Sequence, residues 1–152
     1  MRRSRLRRLD EVYEQHPLFF VTFCTDHRKQ VLNHAVLHEA FRSFCLASRL
    51  HENFVGRYVI MPDHVHLFVR FHSPESLSMW MKSLKNALSK TLRSLGHPAP
   101  HWQKDFFDHI LRSEESFASK WEYVEQNPVR MGLVARSGDW PYQGEINEIH
   151  GH

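Results

Sequence analysis

The sequence predicts an α+β protein built around a mostly antiparallel sheet, and three observations lead to this prediction. The 152 residues are 41% hydrophobic and 12% aromatic, which is typical of a single globular domain. Short β-branched and aromatic stretches recur between longer stretches of helical period. Two of the strand-like stretches are separated only by Pro62 and Asp63, which indicates a tight antiparallel hairpin.

The first four elements follow one another along the N-terminal half of the chain. Residues 17–24 are β-branched and aromatic and are predicted to form a strand. Residues 34–50 carry apolar side chains at helical spacing and are predicted to form a helix. The two strands of the hairpin are predicted over residues 54–61 and 64–71.

The second helix is predicted to begin at Ser73 and Pro74, an N-cap followed by proline at the first helical position. A strand with an irregular entry is expected over residues 101–111. A third helix is expected to begin near Ser113 and to end before Pro128, because the residue before a proline is pushed out of the α region.

This order predicts a ferredoxin-like βαββαβ fold with an added C-terminal helix. The helices of such a fold cover one face of the sheet, so the other face can be open to a partner. Residues 130–152 show no clear period and are expected to form an irregular tail. No linker or repeat divides the chain, so residues 1–152 are predicted to be one domain. Its first ten residues are predicted to form a basic arm.

The positive charge of the chain is concentrated in that arm. The chain has a formal charge of +3, but the first ten residues alone contribute +4. The arm carries five arginines, which are Arg2, Arg3, Arg5, Arg7 and Arg8. Such an arm can bind nucleic acid by neutralising phosphates, and a solvated tail is the alternative that composition leaves open.

Other features of the composition exclude several classes of protein. No stretch approaches the ~20 apolar residues of a membrane span, and no apolar segment follows the basic N-terminus as in a secretory signal. Cys24 and Cys45 lie far apart without a zinc-binding spacing. We therefore expect reduced thiols in a cytoplasmic protein without membrane contact.

Two histidines lie one residue apart in the second strand of the hairpin. His64 and His66 share one face of the sheet, whereas Val65, Leu67 and Val69 point to the other face and supply the core. Two neutral imidazoles at this spacing suit a shared metal ion. A solvated histidine pair is the alternative, and a metal site would need a third ligand, expected to be an oxygen donor.

The third helix carries two stripes of side chains. Phe117, Trp121 and Val124 form an apolar stripe, and Tyr123 and Asn127 belong to a second stripe roughly 90° away. The helix can therefore pack on the sheet while Tyr123 and Asn127 lie along its edge. A boundary tyrosine and an asparagine that caps the helix end are the alternatives.

The chain resembles a known family in several motifs. "VIMPDHVHLFV", followed later by "YVEQNPVRMGLV", is similar to the REP-associated tyrosine transposases, which belong to the HUH single-tyrosine transposases of bacterial insertion sequences. "WQKDFFDHILRSEES" and "WPYQGE" add to the resemblance, which extends over residues 17–144.

The resemblance implies the site residues. In this family the two histidines, here His64 and His66, bind Mg²⁺ or Mn²⁺, and the tyrosine of "YVEQNP", here Tyr123, is the nucleophile. Asn127 would complete the metal site, although insertion-sequence relatives have a longer glutamine there. Gln126 is the alternative ligand.

The resemblance also implies the reaction. Tyr123 would attack a phosphodiester of single-stranded hairpin DNA, leaving a 5′-phosphotyrosine and a free 3′-OH that can rejoin strands. The metal and Lys120 would favour the phenolate form of the tyrosine. A hairpin DNA- or RNA-binding protein without catalysis, and a metal hydrolase that activates water, are the alternatives. A homodimer and a monomer both stay open.

Contacts with DNA outside the reaction centre are predicted from charge. Lys82, Lys85 and Arg93 lie on the polar side of the second helix, where they would track phosphates. A solvated helix face is the alternative. Lys120, on the third helix, is predicted to contact DNA beside Tyr123.

Overall fold

The computed structural model describes residues 17–71, 73, 76–112 and 114–149, with the side chains of residues 114 and 115 left aside. Within these ranges the chain forms five strands and four helices. In chain order they are β1 (Leu18–Cys24), α1 (Ala35–Ala47), β2 (Phe54–Ile60), β3 (His64–Arg70), α2 (Ser76–Ser94), β4 (Phe107–Leu111), α3 (Glu114–Glu125), α4 (Asn127–Arg130) and β5 (Gln143–Glu145).

The five strands form one sheet in the order β4-β1-β3-β2-β5. All neighbouring strands are antiparallel, with Cys24 opposite His64 and Ile60 opposite Val65. The order of the first four strands is that of the βαββαβ arrangement, so the predicted ferredoxin-like fold is confirmed. The predicted hairpin is confirmed too, since β2 and β3 pair directly across a short turn.

The main core lies between the sheet and helices α1 and α2. Val65, Leu67 and Val69 of β3 are fully buried there, as predicted from their alternation with the histidines. Leu37 of α1 and Leu84 of α2 are fully buried against the same face. These two helices therefore pack on one side of the sheet.

The other face of the sheet, which we expected could be open to a partner, carries a second, smaller core with α3, whose apolar stripe was predicted to pack on the sheet. Phe68 is fully buried under α3, with its ring centroid 4.6 Å from that of Phe117. Val124 of α3 and Trp140 and Ile149 of the C-terminal segment complete this cluster. The apolar stripe of α3 needs a partner, and the sheet face around Phe68 supplies it.

Several boundaries differ from the prediction. The strand expected over residues 101–111 is limited to Phe107–Leu111. The indole Nε1 of Trp102 donates to the carbonyl of Lys85 and to Ser89 Oγ, so the preceding segment is held against α2. The segment predicted as an irregular tail contains β5, which pairs with β2.

The helix ends also show local differences. α1 ends at Ala47, and a 3₁₀ turn follows over Ser48–His51. α3 ends at Glu125, close to the predicted stop, but Pro128 opens one further helical turn, α4. Proline fits there because the first turn of a helix needs no backbone N–H donor. The second helix was predicted to start at Ser73 and Pro74. It starts at Ser76, whose backbone N–H and hydroxyl both donate to the carbonyl of Ser73. Pro74 and Ser113, the predicted start of the third helix, lie outside the described residues.

We find no helix in the described ranges that is long and apolar enough to cross a membrane.

Candidate metal and tyrosine site

The two histidines of β3 converge on one side chain, that of Asn127, the first residue of α4. His64 Nε2 lies 3.1 Å from Asn127 Nδ2, and His66 Nε2 lies 3.2 Å from the same atom. Their ring centroids are 4.7 Å apart. β3 places both imidazoles on the face that α3 covers, and the turn after α3 brings Asn127 over them.

The ring of His64 is held by the turn that precedes β3. Its Nδ1 lies 2.7 Å from Asp63 Oδ1, and the other carboxylate oxygen accepts from Arg28 Nε at 2.9 Å. Burial alone would raise the pKa of Asp63, but the hydrogen bonds from Arg28 and His64 outweigh it and lower the pKa. The ionised carboxylate accepts the Nδ1 proton of His64, which leaves the Nε2 lone pair directed at Asn127.

The ring of His66 is held by β1. Its Nδ1 lies 2.8 Å from Thr22 Oγ1, on the residue directly opposite in the sheet. Its flat face stacks on Phe20, with ring centroids 5.4 Å apart and planes 19° apart. With the proton on Nδ1 and the hydroxyl as acceptor, the Nε2 lone pair of His66 also points to Asn127.

Both imidazoles are neutral at physiological pH. Burial lowers the pKa of His64, and the hydrogen bond and charge of Asp63 oppose this only in part. Burial lowers the pKa of His66 to about 3, with further contributions from His64 when it is protonated and from the cations Arg130 and Lys120. Neutral imidazole is the form that binds a metal ion.

The donor atoms fit a divalent cation. Neighbouring ligands of an octahedral ion at about 2.1 Å lie roughly 3 Å apart, close to the 3.1 and 3.2 Å separations here. The oxygen and nitrogen of an asparagine side chain are assigned from their hydrogen bonds. Rotation of the Asn127 amide by 180° brings Oδ1, in place of Nδ2, toward the imidazoles. Two nitrogen donors favour Mn²⁺ over Mg²⁺.

The acidic residues around this site do not add a further ligand. Asp63 is engaged by Arg28 and His64. Among the residues that the structure describes, no group of three or more His, Cys, Asp or Glu side chains could hold a metal ion. The site is therefore two imidazoles and one amide. Gln126, the alternative ligand, has no contact with either histidine among the described hydrogen bonds.

Tyr123 lies one helical turn before Asn127 and is 66% exposed. The guanidinium carbon of Arg130 lies 3.9 Å from the centroid of its ring. This stacked cation holds the ring at the helix surface and adds positive charge beside the phenol. The ammonium of Lys120, one turn earlier in α3, lies 5.2 Å from the centroid of Phe20, the ring that stacks on His66.

A cleft of about 440 Å³ continues from Tyr123 between α3 and the edge strand β4. It is lined by His109, Leu111, Ser116, Ser119, Lys120 and Tyr123. Tyr123 therefore stands at a polar groove rather than inside the core, and an extended ligand has room beside its phenol.

The structure brings some of the predicted site residues together and separates others. His64, His66, Asn127, Tyr123 and Lys120 lie on one face of the sheet. Two predicted DNA contacts, Lys82 and Lys85, belong to α2, which covers the opposite face. Lys85 also donates to the carbonyl of Gln103 at 3.1 Å, and burial lowers its pKa. The five arginines of the arm lie outside the described residues.

Four residues at this site were missed by the sequence analysis: Thr22, Arg28, Asp63 and Arg130. Asp63 offered a signal, since it directly precedes His64 in the turn. The contact of Thr22 depends on the register of β1 with β3, and the contacts of Arg28 and Arg130 depend on how loops return to the sheet. Period and spacing along the chain do not carry this information.

The fold and this site define a family. A family model described as "Transposase IS200 like" matches residues 17–127, and the chain belongs to that family. The resemblance drawn from its motifs is thereby confirmed.

The relatives of this chain include REP-associated tyrosine transposases. The one from Escherichia coli (strain K12) is 23% identical over 91 residues, which cover 58% of this chain and 52% of that protein. A Haemophilus influenzae protein named "Putative REP-associated tyrosine transposase" is 26% identical over 101 residues, 59% of this chain and 57% of that protein. The chain thus matches little more than half the length of these curated relatives.

A solved structure shares the fold. It is described as a REP-associated tyrosine transposase bound to a REP hairpin, and it superposes with a TM-score of 0.69 at 20% sequence identity. The match covers 97% of this chain and 93% of that chain. The whole of the described architecture, including α3 and the C-terminal segment, is therefore that of a transposase structure.

Proposed function

We propose that this protein cleaves and rejoins single-stranded DNA beside a hairpin, with Tyr123 as nucleophile and a divalent metal held by His64, His66 and Asn127. One observation carries the proposal. The Nε2 atoms of two neutral imidazoles converge within 3.2 Å on Asn127, one helical turn from the exposed phenol of Tyr123. A metal-binding triad beside an exposed nucleophile is the arrangement that phosphodiester transfer needs.

The protein's own residues hold the reactants in place. Asp63 and Thr22 fix the two imidazoles through their Nδ1 atoms, so that both Nε2 lone pairs stay directed at one point. Arg130 holds the ring of Tyr123 at the surface, and Lys120 provides a cation in the cleft for the phosphate. When bound, the metal would withdraw electron density from a non-bridging phosphate oxygen.

The reaction exchanges one ester for another. The phenolic oxygen of Tyr123, having released its proton to water, forms a bond to phosphorus while the bond from phosphorus to the 3′-oxygen breaks. The 3′-oxygen takes up a proton and leaves as a 3′-OH, and the 5′-phosphate stays on Tyr123. Attack by a 3′-OH on this phosphotyrosine reverses the step and joins strands, because the ester energy is conserved.

The substrate class is inferred from the family and the site. The structural neighbour is described as bound to a REP hairpin, and two relatives are named as REP-associated transposases. Tyr123 stands beside an open polar cleft at the edge of the sheet, where an unpaired strand can lie against the phenol. Lys120, Arg130 and the basic N-terminal arm add the positive charge that phosphates need.

The proposal is tested by incubating the protein with an internally labelled single-stranded DNA hairpin carrying unpaired flanks, with Mn²⁺ and with EDTA. We expect a covalent protein–DNA band on a denaturing gel in Mn²⁺ alone. Cleavage without a covalent band would indicate a hydrolase that activates water. Binding without cleavage would indicate a hairpin-binding protein, and either result would contradict the proposal.

A further inference from the structure

An aromatic side chain stands exposed on the edge of the sheet, near the two histidines. Phe107, the first residue of β4, is 63% exposed. It lies directly opposite Thr22 of β1, whose hydroxyl contacts His66. Residues opposite one another in a sheet share a face, so Phe107 lies on the histidine face, in one row with Thr22 and His66.

The same row arrangement places His109 on this face, opposite Phe20. His109 lines the cleft that contains Lys120 and Tyr123. The acidic residue between them in sequence, Asp108, lies opposite Val21, which is buried in the main core. Alternation therefore directs Asp108 to the other face, and the described cleft residues include one lysine and no carboxylate.

We propose that the β4 edge is a stacking platform for an unpaired nucleotide that flanks the scissile phosphate. Phe107 stacks on the base, and Lys120 in the adjoining cleft neutralises the phosphate of that nucleotide. The inference rests on the proposed function, since it assigns a place to the strand that Tyr123 would cut. Aromatic rings beside cations are the usual means of binding single strands without reading their sequence.

Two features favour a nucleotide over a second copy of the chain at this edge. The cleft next to Phe107 is lined by hydroxyl, imidazole and ammonium groups with Leu111 as its one aliphatic residue among those described, whereas a protein interface would have an apolar centre. The next residue of β4 on the same face, His109, lines that cleft together with Tyr123. A nucleotide stacked on Phe107 would therefore lie along the strand edge that leads to Tyr123.

The test compares Phe107→Ala with two control variants. Phe107→Trp keeps a stacking ring. Ile110→Ala truncates another exposed residue of β4, 39% exposed, whose partner Phe19 belongs to the main core on the opposite face. Binding is measured in EDTA, where no cleavage is expected, with a blunt DNA hairpin and with hairpins extended by four unpaired nucleotides on the 5′ or the 3′ side.

We expect Phe107→Ala to weaken binding of one extended hairpin by about 5- to 150-fold, the range for loss of one stacked base. Binding of the blunt hairpin should not change, and Phe107→Trp and Ile110→Ala should bind as the wild type does. A 2-aminopurine in the extension should be quenched by the wild type and not by Phe107→Ala.

Two results would overturn the platform. One is that Phe107→Ala weakens the binding of blunt and extended hairpins equally, or weakens neither. The other is a change in solution mass of Phe107→Ala without DNA, which would make the edge an interface between copies. The covalent assay with the wild type is independent of both, so failure of the platform is distinguished from failure of the proposed function.

Discussion

At the scale of single residues, the candidate site depends on the orientation of two imidazole rings, each of which is fixed by a hydrogen bond at its Nδ1 atom. Asp63 takes the Nδ1 proton of His64, and Thr22 faces Nδ1 of His66. Both imidazoles thus present Nε2 to Asn127. A substitution of Asp63 or Thr22 would allow the ring that it holds to turn. Loss of such a hydrogen-bond partner of a metal-binding histidine commonly lowers metal affinity by 10- to 100-fold.

The metal ligands provide the first prediction. His64→Ala and His66→Ala should each abolish the covalent DNA complex while leaving most of the hairpin affinity, because phosphate and base contacts supply that affinity. Both variants should stay folded, since the main core lies on the other face of the sheet. Mn²⁺ binding by calorimetry and hairpin binding in EDTA measure the two effects separately. Cleavage at the wild-type rate by either variant would show that the metal site lies elsewhere.

The low pKa of His66 provides the second prediction. Its pKa is about 3 in the folded protein and about 6.5 in an unfolded chain, so the unfolded state binds more protons between these values. The contribution of His66 to the free energy of unfolding should therefore be fully present above about pH 6.5. It should fall as the pH drops toward 3, by up to about 1.4 kcal/mol per pH unit.

His66→Gln removes this titration and should flatten the pH dependence of the free energy of unfolding between pH 7 and 4. Urea unfolding of the metal-free protein at several pH values measures it. Identical pH slopes for the variant and the wild type would contradict the assignment of a buried neutral imidazole.

At the scale of elements, α3 connects the second core to the chemistry. Phe117 and Val124 anchor the helix on the sheet, while Tyr123 lies on its neighbouring stripe and Asn127 follows one turn later as the first residue of α4. The position of the nucleophile relative to the histidines is thus set by packing against Phe68.

Truncation of that anchor provides the third prediction. Phe117→Ala should destabilise the protein by roughly 3–5 kcal/mol, the usual cost of removing a buried phenylalanine ring, and the covalent complex should be lost although Tyr123 is intact. Hydrogen exchange should accelerate in α3 more than in β3. Glu122→Ala, on the exposed side of the same helix, should change stability by less than about 0.5 kcal/mol. Normal cleavage by Phe117→Ala would mean that the helix is positioned by other contacts.

The same elements show what the sequence could predict. β-Branched and aromatic composition placed the boundaries of β1, β2 and β3 within a residue or two, and alternation along β3 assigned His64 and His66 to one face. The strand before α3 was predicted too long because only Phe107–Leu111 forms a continuous ladder with β1. The earlier part makes a single bridge, between Trp102 and Thr25 just after β1, and the indole of Trp102 is hydrogen-bonded to α2. β5 and Trp140 escaped prediction because three residues have no visible period, and their structure follows from pairing with β2 and from burial.

At the scale of the whole molecule, the two faces of the sheet have separate tasks. One face holds the main core with α1 and α2, and the other holds the second core, the histidines and Tyr123. The predicted phosphate contacts Lys82 and Lys85 lie on the first side, so a strand bound at Tyr123 would have to pass around the sheet to reach them. In the sequence the basic arm precedes β1, and β1 lies between β4 and β3 in the sheet.

The arm provides the fourth prediction. Deletion of residues 2–8, which removes all five arginines of the arm, should weaken hairpin binding and reduce its dependence on salt. Each lost phosphate contact to a single strand should lower the slope of log K against log salt by roughly 0.7. Binding measured from 50 to 300 mM salt tests this, and an unchanged slope would make the arm a passive tail.

The identity of the nucleophile is the central claim, and the site of covalent attachment tests it most directly. The protein is incubated with a hairpin substrate and Mn²⁺, digested with protease and nuclease, and the peptide carrying the DNA remnant is identified by mass spectrometry. We expect the remnant on Tyr123, and no covalent product from Tyr123→Phe, which lacks only the phenolic oxygen and should bind the hairpin normally. A remnant on Tyr58, Tyr142 or Tyr13 would contradict the role of α3, and with it the assignment of Asn127 as the metal ligand one turn away.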